Sequence, residues 1–338
     1  MKELFVIPSI LDLFNNTNTT LDNTVGSNDL SPEMKTYYSQ YLIDLAEPEL
    51  VHDQFGQKHP IPKNGGKTIE FRKYDSLPKA MTPLTEGVTP NGQKLNVTTL
   101  TATVAQYGGY VELSDVLLLT AIDNNLVQAT RLIASQAGRT LDTVTREVLN
   151  GGTNVLYAQG GASRSALVGG AASGNNYLTV RDIRTAVRIL KKMNTPTIDG
   201  WYVGIIHPDC EYDLMDDPDW KTPHQYVDTN NVYSNEIGAI AGVRFVESTE
   251  AKIFAQAGAS SRNVYSTLIL GDNAYGVTDI TGGGLQHIVK QLGSAGTADP
   301  LDQRSTVGWK AIKTAERLVE QYMVRIESTS TFNDINGN

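Results

Sequence analysis

The densest run of side chains able to do chemistry is His207-Pro208-Asp209-Cys210, followed by Asp216, Asp217, Asp219 and His224. Imidazole, thiolate and carboxylate are the ligand set of zinc and related divalent metals, so a soluble α/β hydrolase or metal-dependent enzyme with its site over His207 to His224 is one candidate reading. The spacing argues against it. A closed zinc set wants a second cysteine pair or two histidines one helical turn apart, and the chain has one cysteine, Cys210. The competing expectation is structural: His207-Pro208 ends a buried strand, Asp209 caps a short helix, and the aspartates that follow form a solvated loop.

Other chemistry is thinner still. No Gly-x-Ser-x-Gly elbow occurs, and Ser163, Ser165 and Ser173 sit in a small-residue segment with no histidine near them in sequence. Gly282-Gly283-Gly284 lacks the Gly-Lys-Ser or Gly-Lys-Thr ending of a phosphate loop and is expected to be a turn. Arg181, Arg184, Arg188, Lys191 and Lys192 form a basic cluster on one predicted helix. They are expected on a solvated face or a face between chains, in preference to a DNA contact. No catalytic residue, cofactor or metal site is expected.

The elements that would carry these residues follow from periodicity. The chain has 338 residues, 40% of them apolar, enough for a substantial core divided among lobes. Its net charge of -9 excludes a nucleic-acid grip by the protein as a whole, and one cysteine excludes an intramolecular disulfide. Neither a signal peptide nor a run of about 18 apolar residues is seen, so a protein without a membrane span, made and used in a cytoplasm, is expected.

Residues 1–31 have the Asn-, Thr- and Ser-rich composition of an extended arm, and 33–46 carry apolar residues at helical spacing. Residues 67–74 and 95–113 alternate as two long antiparallel strands, with Gly108-Gly109 a kink or bulge. Between them lies a proline- and glycine-punctuated excursion that one hairpin alone could not hold in water, so a neighbouring chain is expected to support it. Apolar positions Leu126, Ala129, Ile133, Ala137, Leu141, Val144 and Val148 predict one long helix over 123–150, with Asp142 and Arg146 on other faces and Gly151-Gly152 as a left-handed stop. From 177 to 290 helices and strands alternate, beginning with a Thr179/Asp182 capping box, and two strands are expected over 305–311 and 318–327.

Several stretches in order then become specific. These are Pro83-Leu84-Thr85-Glu86-Gly87-Val88-Thr89-Pro90, Thr101 to Asp115, Leu141-Asp142-Thr143-Val144, Asn150-Gly151-Gly152-Thr153-Asn154, Ile206-His207-Pro208-Asp209 through Asp219-Trp220-Lys221, Gly238 to Glu247, and Asp302-Gln303-Arg304-Ser305 with Val307-Gly308-Trp309-Lys310. Together they resemble the N4-type family of tailed-bacteriophage major capsid proteins across nearly the whole chain. The resemblance implies an α+β, Hong Kong 97-like capsid fold. It would have an N-terminal arm and short helix (1–66), an extended-loop ribbon (67–113), a peripheral domain with a long spine helix (114–176), an α/β axial domain (177–290), and a return to the peripheral domain with a C-terminal tail (291–338).

The implied function is self-assembly in hexamers and pentamers into an icosahedral shell around double-stranded DNA, which touches the inner face without sequence specificity. A separate scaffolding protein, a portal and a decoration protein are the implied partners, because little chain precedes Lys67 for a fused scaffold. Lys79, Lys94 and Asn91 lie in the loop, but crosslinking is not expected. Contacts between chains are expected at Thr82, Pro83, Leu84, Glu86, Val88, Asn91 and Gln93, and at Asp219, Trp220 and Lys221. The alternatives are an encapsulin-like shell and the enzyme built on His207 to His224.

Overall fold

Ser305, Val307, Trp309, Ala311, Lys313 and Ala315 are all buried and sit at every second position of one strand, Arg304–Arg317, so one whole face of it is covered. That strand organises half of the computed structural model, which describes residues 51–74, 77–89, 91–120, 125–169, 175–220, 236–294 and 299–333. The expected arm, the helix over 33–46, Ser173, Lys221 and His224 lie outside the described residues.

In chain order the strands are β1 (Gln57–Lys58), β2 (Thr68–Tyr74), β3 (Val97–Thr103), β4 (Ala105–Ser114), β5 (Val155–Tyr157), β6 (Tyr202–Ile206) and β7 (Glu236–Ile240). They continue with β8 (Val243–Glu247), β9 (Ile253–Phe254), β10 (Val264–Leu270), β11 (Tyr275–Asp279), β12 (Gln286–Lys290), β13 (Arg304–Arg317) and β14 (Met323–Ser328). The helices are α1 (Asp115–Thr120), α2 (Asn125–Asn150), α3 (Val180–Lys192) and α4 (Pro208–Asp216).

Strand β13 pairs along one edge with β4 and along the other with β11 and β12, while β1 extends the sheet beyond β11. Its covered face meets Ile133, Ala134, Ala137 and Leu141 of α2, which pack on Val307, Trp309 and Ala311. Gly138 is buried within this 26-residue helix. The second sheet runs β5-β14-β10-β6-β8-β7, with β9 also on β10. Its central strand β10 is buried on both faces, enclosing Ser266 and Thr267 along with its apolar residues. One face is covered by Ile183, Val187 and Leu190 of α3 with Cys210 and Leu214 of α4. The opposite face packs against Leu149 of α2, Tyr275 and Val51.

Several expectations change. The run 95–113 is two strands: β3 pairs with β2 from Tyr74↔Val97 to Thr68↔Thr103, whereas β4 leaves the ribbon and joins β13. Gly108-Gly109 is neither kink nor bulge, since the β4–β13 register runs unbroken from Lys313↔Ala105 to Arg304↔Ser114. A Cβ on Gly108 would lie 2.6 Å from the Trp309 carbonyl oxygen, so close strand approach is the reason for glycine there. The chain also changes sheet earlier than residue 290, because β11 and β12 pair with β13. Strand β14, expected to complete the peripheral sheet, lies between β5 and β10 in the other one.

Helix α2 departs from a simple stripe in its last two turns. Asp142 and Arg146 are buried and Val144 and Val148 only partly so, because Asp142 binds His52 and Arg146 donates to the Glu250 carbonyl oxygen at 2.7 Å. Neither Gly151 nor Gly152 takes the left-handed conformation. Instead Arg317 donates to the Val148 carbonyl oxygen at 2.6 Å and Arg325 to that of Asn150, placing two cations at the negative end of the helix dipole.

Candidate intersubunit surfaces

Ribbon β2–β3 has seven residues in each strand and, among the described residues, no third strand. Ile69, Phe71, Leu100 and Ala102 share its more covered face, and Phe71 meets His59 edge-on at 5.4 Å. Beyond Tyr74 the chain makes the proline-rich excursion, held locally by Met81 N–H to the Lys79 carbonyl (3.0 Å) and Val88 N–H to that of Thr85 (3.2 Å). Gly87 has φ +76°, a backbone setting that favours glycine in the second of these turns.

Every described residue of 77–99 is exposed. The ribbon loop therefore brings together Thr82, Pro83, Leu84, Glu86, Val88, Asn91 and Gln93 on one projection. Its apolar members are uncovered within the chain, with Met81 81% and Leu84 77% exposed, and Leu77, Val88 and Leu95 alongside. A single chain has nothing to gain from presenting this much apolar surface to water.

The second expected contact loses Trp220 from its surface. Asp219 is exposed and pairs with Arg184 at 3.3 Å, but Trp220 is only 5% exposed and packs edge-on against Phe245, with ring centroids 6.1 Å apart. Trp220 therefore belongs to the core of its own chain, a correction with a simple cause: indole burial under α3 and α4 outweighs anything it could do at the surface. A third surface was missed in the sequence. Helix α1 exposes Val116, Leu117, Leu118 and Leu119, the last at 85%. The apolar run Val116–Leu119 was the available signal, but it is too short for periodicity to reveal.

The chemically loaded window is bound up in structure. His207, not Asp209, caps α4, its Nδ1 accepting the Asp209 N–H at 3.2 Å. Asp209 takes the Tyr265 hydroxyl at 2.6 Å. Cys210 is buried, its thiol pushed up by burial and 3.5 Å from Ser328 Oγ, so it is not a thiolate nucleophile. Glu211 is raised to about 7, first by burial and then by the charge of Glu247. Ser163 and Ser165 Oγ lie 3.2 Å apart in a 3-10 turn. Gly282–Gly284 form a turn closed by Gly283 N–H to the Ile280 carbonyl. Among the described residues, no three His, Cys, Asp or Glu side chains are placed to hold a metal, and no helix is long and apolar enough to cross a membrane.

A two-sheet body thus carries a ribbon whose apolar loop is left uncovered. The family model described as phage capsid protein matches residues 97–315, well over half the chain, so the chain belongs to the phage capsid protein family. It is a shell-forming structural protein of the virion and not an enzyme. No curated protein matches it in sequence.

Solved capsids share its fold at low identity. The capsid of Ralstonia phage GP4 is 14% identical with a TM-score of 0.65, covering 100% of both chains. The cyanophage Pam1 capsid is 15% identical with a TM-score of 0.64, over 92% of this chain and 97% of that one. The head of Helicobacter pylori bacteriophage KHP40 is 10% identical with a TM-score of 0.56, over 97% and 98%.

Proposed function

We propose that this chain is the major head protein of a tailed phage, an N4-type member with the Hong Kong 97-like fold. Copies assemble as hexamers and pentamers into an icosahedral shell around double-stranded DNA, in the host cytoplasm. In this reading β2, β3 and their loop are the extended loop, the five-stranded sheet with α2 as spine is the peripheral domain, and the seven-stranded sheet with α3 and α4 is the axial domain. A separate scaffolding protein, a portal and a decoration protein are its further partners.

The observation that carries the proposal is the uncovered apolar loop at the end of a two-stranded ribbon. Covering it with a second copy removes apolar area from water at about 25 cal/mol per Å². Repeated around a closed ring, such individually weak contacts add to a stable assembly. The contact set is Thr82, Pro83, Leu84, Glu86, Val88, Asn91 and Gln93, with Asp219 and Lys221 at a second site.

The double variant Met81→Asp/Leu84→Asp tests it. The variant is expected to keep the wild-type circular dichroism spectrum and melting temperature as an unassembled protein, yet fail to form large particles. Normal assembly of the variant would remove the loop from the contact.

A further inference from the structure

Helix α3 is held rigidly from below, with Val180, Ile183, Ala186, Val187 and Leu190 buried against the seven-stranded sheet. Its outer face is entirely different. Arg181, Arg184, Arg188, Lys191 and Lys192 are all exposed, a cationic stripe of about 16 Å at the 1.5 Å helical rise. The one acidic residue of the helix, Asp182, is buried and closes the capping box, taking the Thr179 hydroxyl at 2.6 Å. Among the described residues, only Arg184 of the five has an ion-pair partner, Asp219.

Two ordinary explanations fall short. The helix dipole accounts for Lys191 and Lys192 in the last turn but opposes Arg181 in the first. Contacts between protein chains are enriched in arginine but are built on aromatic and apolar anchors and depleted in lysine, whereas this face carries Lys191 and Lys192 and exposes no large apolar side chain before Met193. Guanidinium groups at three of the five positions present planar forks that match phosphate oxygens. The chain as a whole carries a net charge of -9, so the stripe is a local reversal of its charge.

We infer that the outer face of α3 contacts the phosphate backbone of nucleic acid without reading its sequence. The inference rests on the reading of the chain as a shell subunit around DNA, and it replaces the expectation that this cluster is solvated or lies between chains. Asp217, which takes the Val180 N–H at 3.0 Å, and Asp219 flank the N-terminal end, so Arg188, Lys191 and Lys192 carry most of the contact.

The test uses full-length protein and the variant Arg188→Glu/Lys192→Glu with labelled duplexes of about 20 base pairs and unrelated sequences, followed by fluorescence anisotropy between about 50 and 200 mM salt. The wild type is expected to bind all duplexes alike, with Kd on the order of 10⁻⁶ to 10⁻⁴ M and a log–log salt slope of about -3 to -4, at 0.9 per phosphate. The variant should bind at least about tenfold more weakly with a shallower slope, because it reverses two of the phosphate-contacting cations. Its melting temperature should not change.

Equal binding by wild type and variant, or a slope near zero, would overturn the inference. So would a variant that binds DNA normally but no longer self-associates, which would assign the stripe to a contact between chains. Particle mass is read separately by light scattering. Shells that form but do not bind DNA through α3 would sink this inference alone, whereas absence of particles under every condition would sink the capsid reading.

Discussion

The imidazole Nδ1 of His52 donates to Asp142 Oδ2 at 2.6 Å while the His52 backbone N–H donates to Oδ1 at 2.8 Å, and both residues are fully buried. The pair ties the segment before β1 to the middle of α2. Around it the Tyr275 hydroxyl donates to the His52 carbonyl oxygen, Thr145 Oγ1 donates to Asp53 at 2.6 Å, and Lys313 bridges Asp53 and the Leu141 carbonyl. One polar network therefore joins the chain entering the body, the long helix and both β11 and β13.

Removing one partner of a buried pair leaves the other uncompensated. Asp142→Ala is expected to destabilise the unassembled chain by about 3–5 kcal/mol. Denaturant unfolding of Asp142→Ala, His52→Ala and the double variant checks this. The two single losses should not add, since each already breaks the same contact.

The C-terminal end of α2 gives a smaller effect. Arg317→Ala leaves the Val148 carbonyl without its 2.6 Å donor and removes one of two cations from the negative end of the helix. A loss of about 1 kcal/mol is expected, reduced by salt, and is measurable as a shift in the urea midpoint.

Backbone crowding sets a third expectation. Gly108→Val places a side chain against the Trp309 carbonyl in the paired strand and should cost about 1–3 kcal/mol through forced displacement of β4 from β13. Gly92→Ala, in the exposed loop with nothing within 4 Å of the added carbon, should leave the melting temperature unchanged.

Glu211 sets a pH dependence. Its carboxyl is raised from 4.5 to about 7 by burial and by Glu247, so between these values the folded chain holds a proton that the unfolded chain has released. Its contribution to stability is complete below pH 4.5 and is lost as pH rises through about 7. Glu211→Gln should therefore raise the melting temperature at pH 8 relative to wild type and change it little at pH 4, as read by thermal unfolding at both pH values.

Periodicity made α2, β13 and α3 legible, because each buries one face against one layer. The Thr179/Asp182 capping box was legible for the same local reason. Ribbon β2–β3 and its uncovered loop could also be read, from alternation interrupted by proline and glycine. Pairing over long sequence distance was not legible: nothing local says that β14 lies between β5 and β10, or that Asp142 faces His52 and not water. Trp220 shows the limit at single residues, since an indole beside three aspartates looks exposed until Phe245 is placed against it. The basic stripe was visible in the sequence, but that Arg184 alone of its five cations has an ion-pair partner among the described residues became apparent only once neighbouring elements were in place.

The most direct test of a self-assembling shell subunit is the mass of the purified native protein, by light scattering with negative-stain microscopy of the same sample. Closed shells, rings or capsomer-sized particles, forming alone or with a scaffolding partner, are the predicted result. A monomer that persists across concentration and salt, and beside that partner, would contradict it.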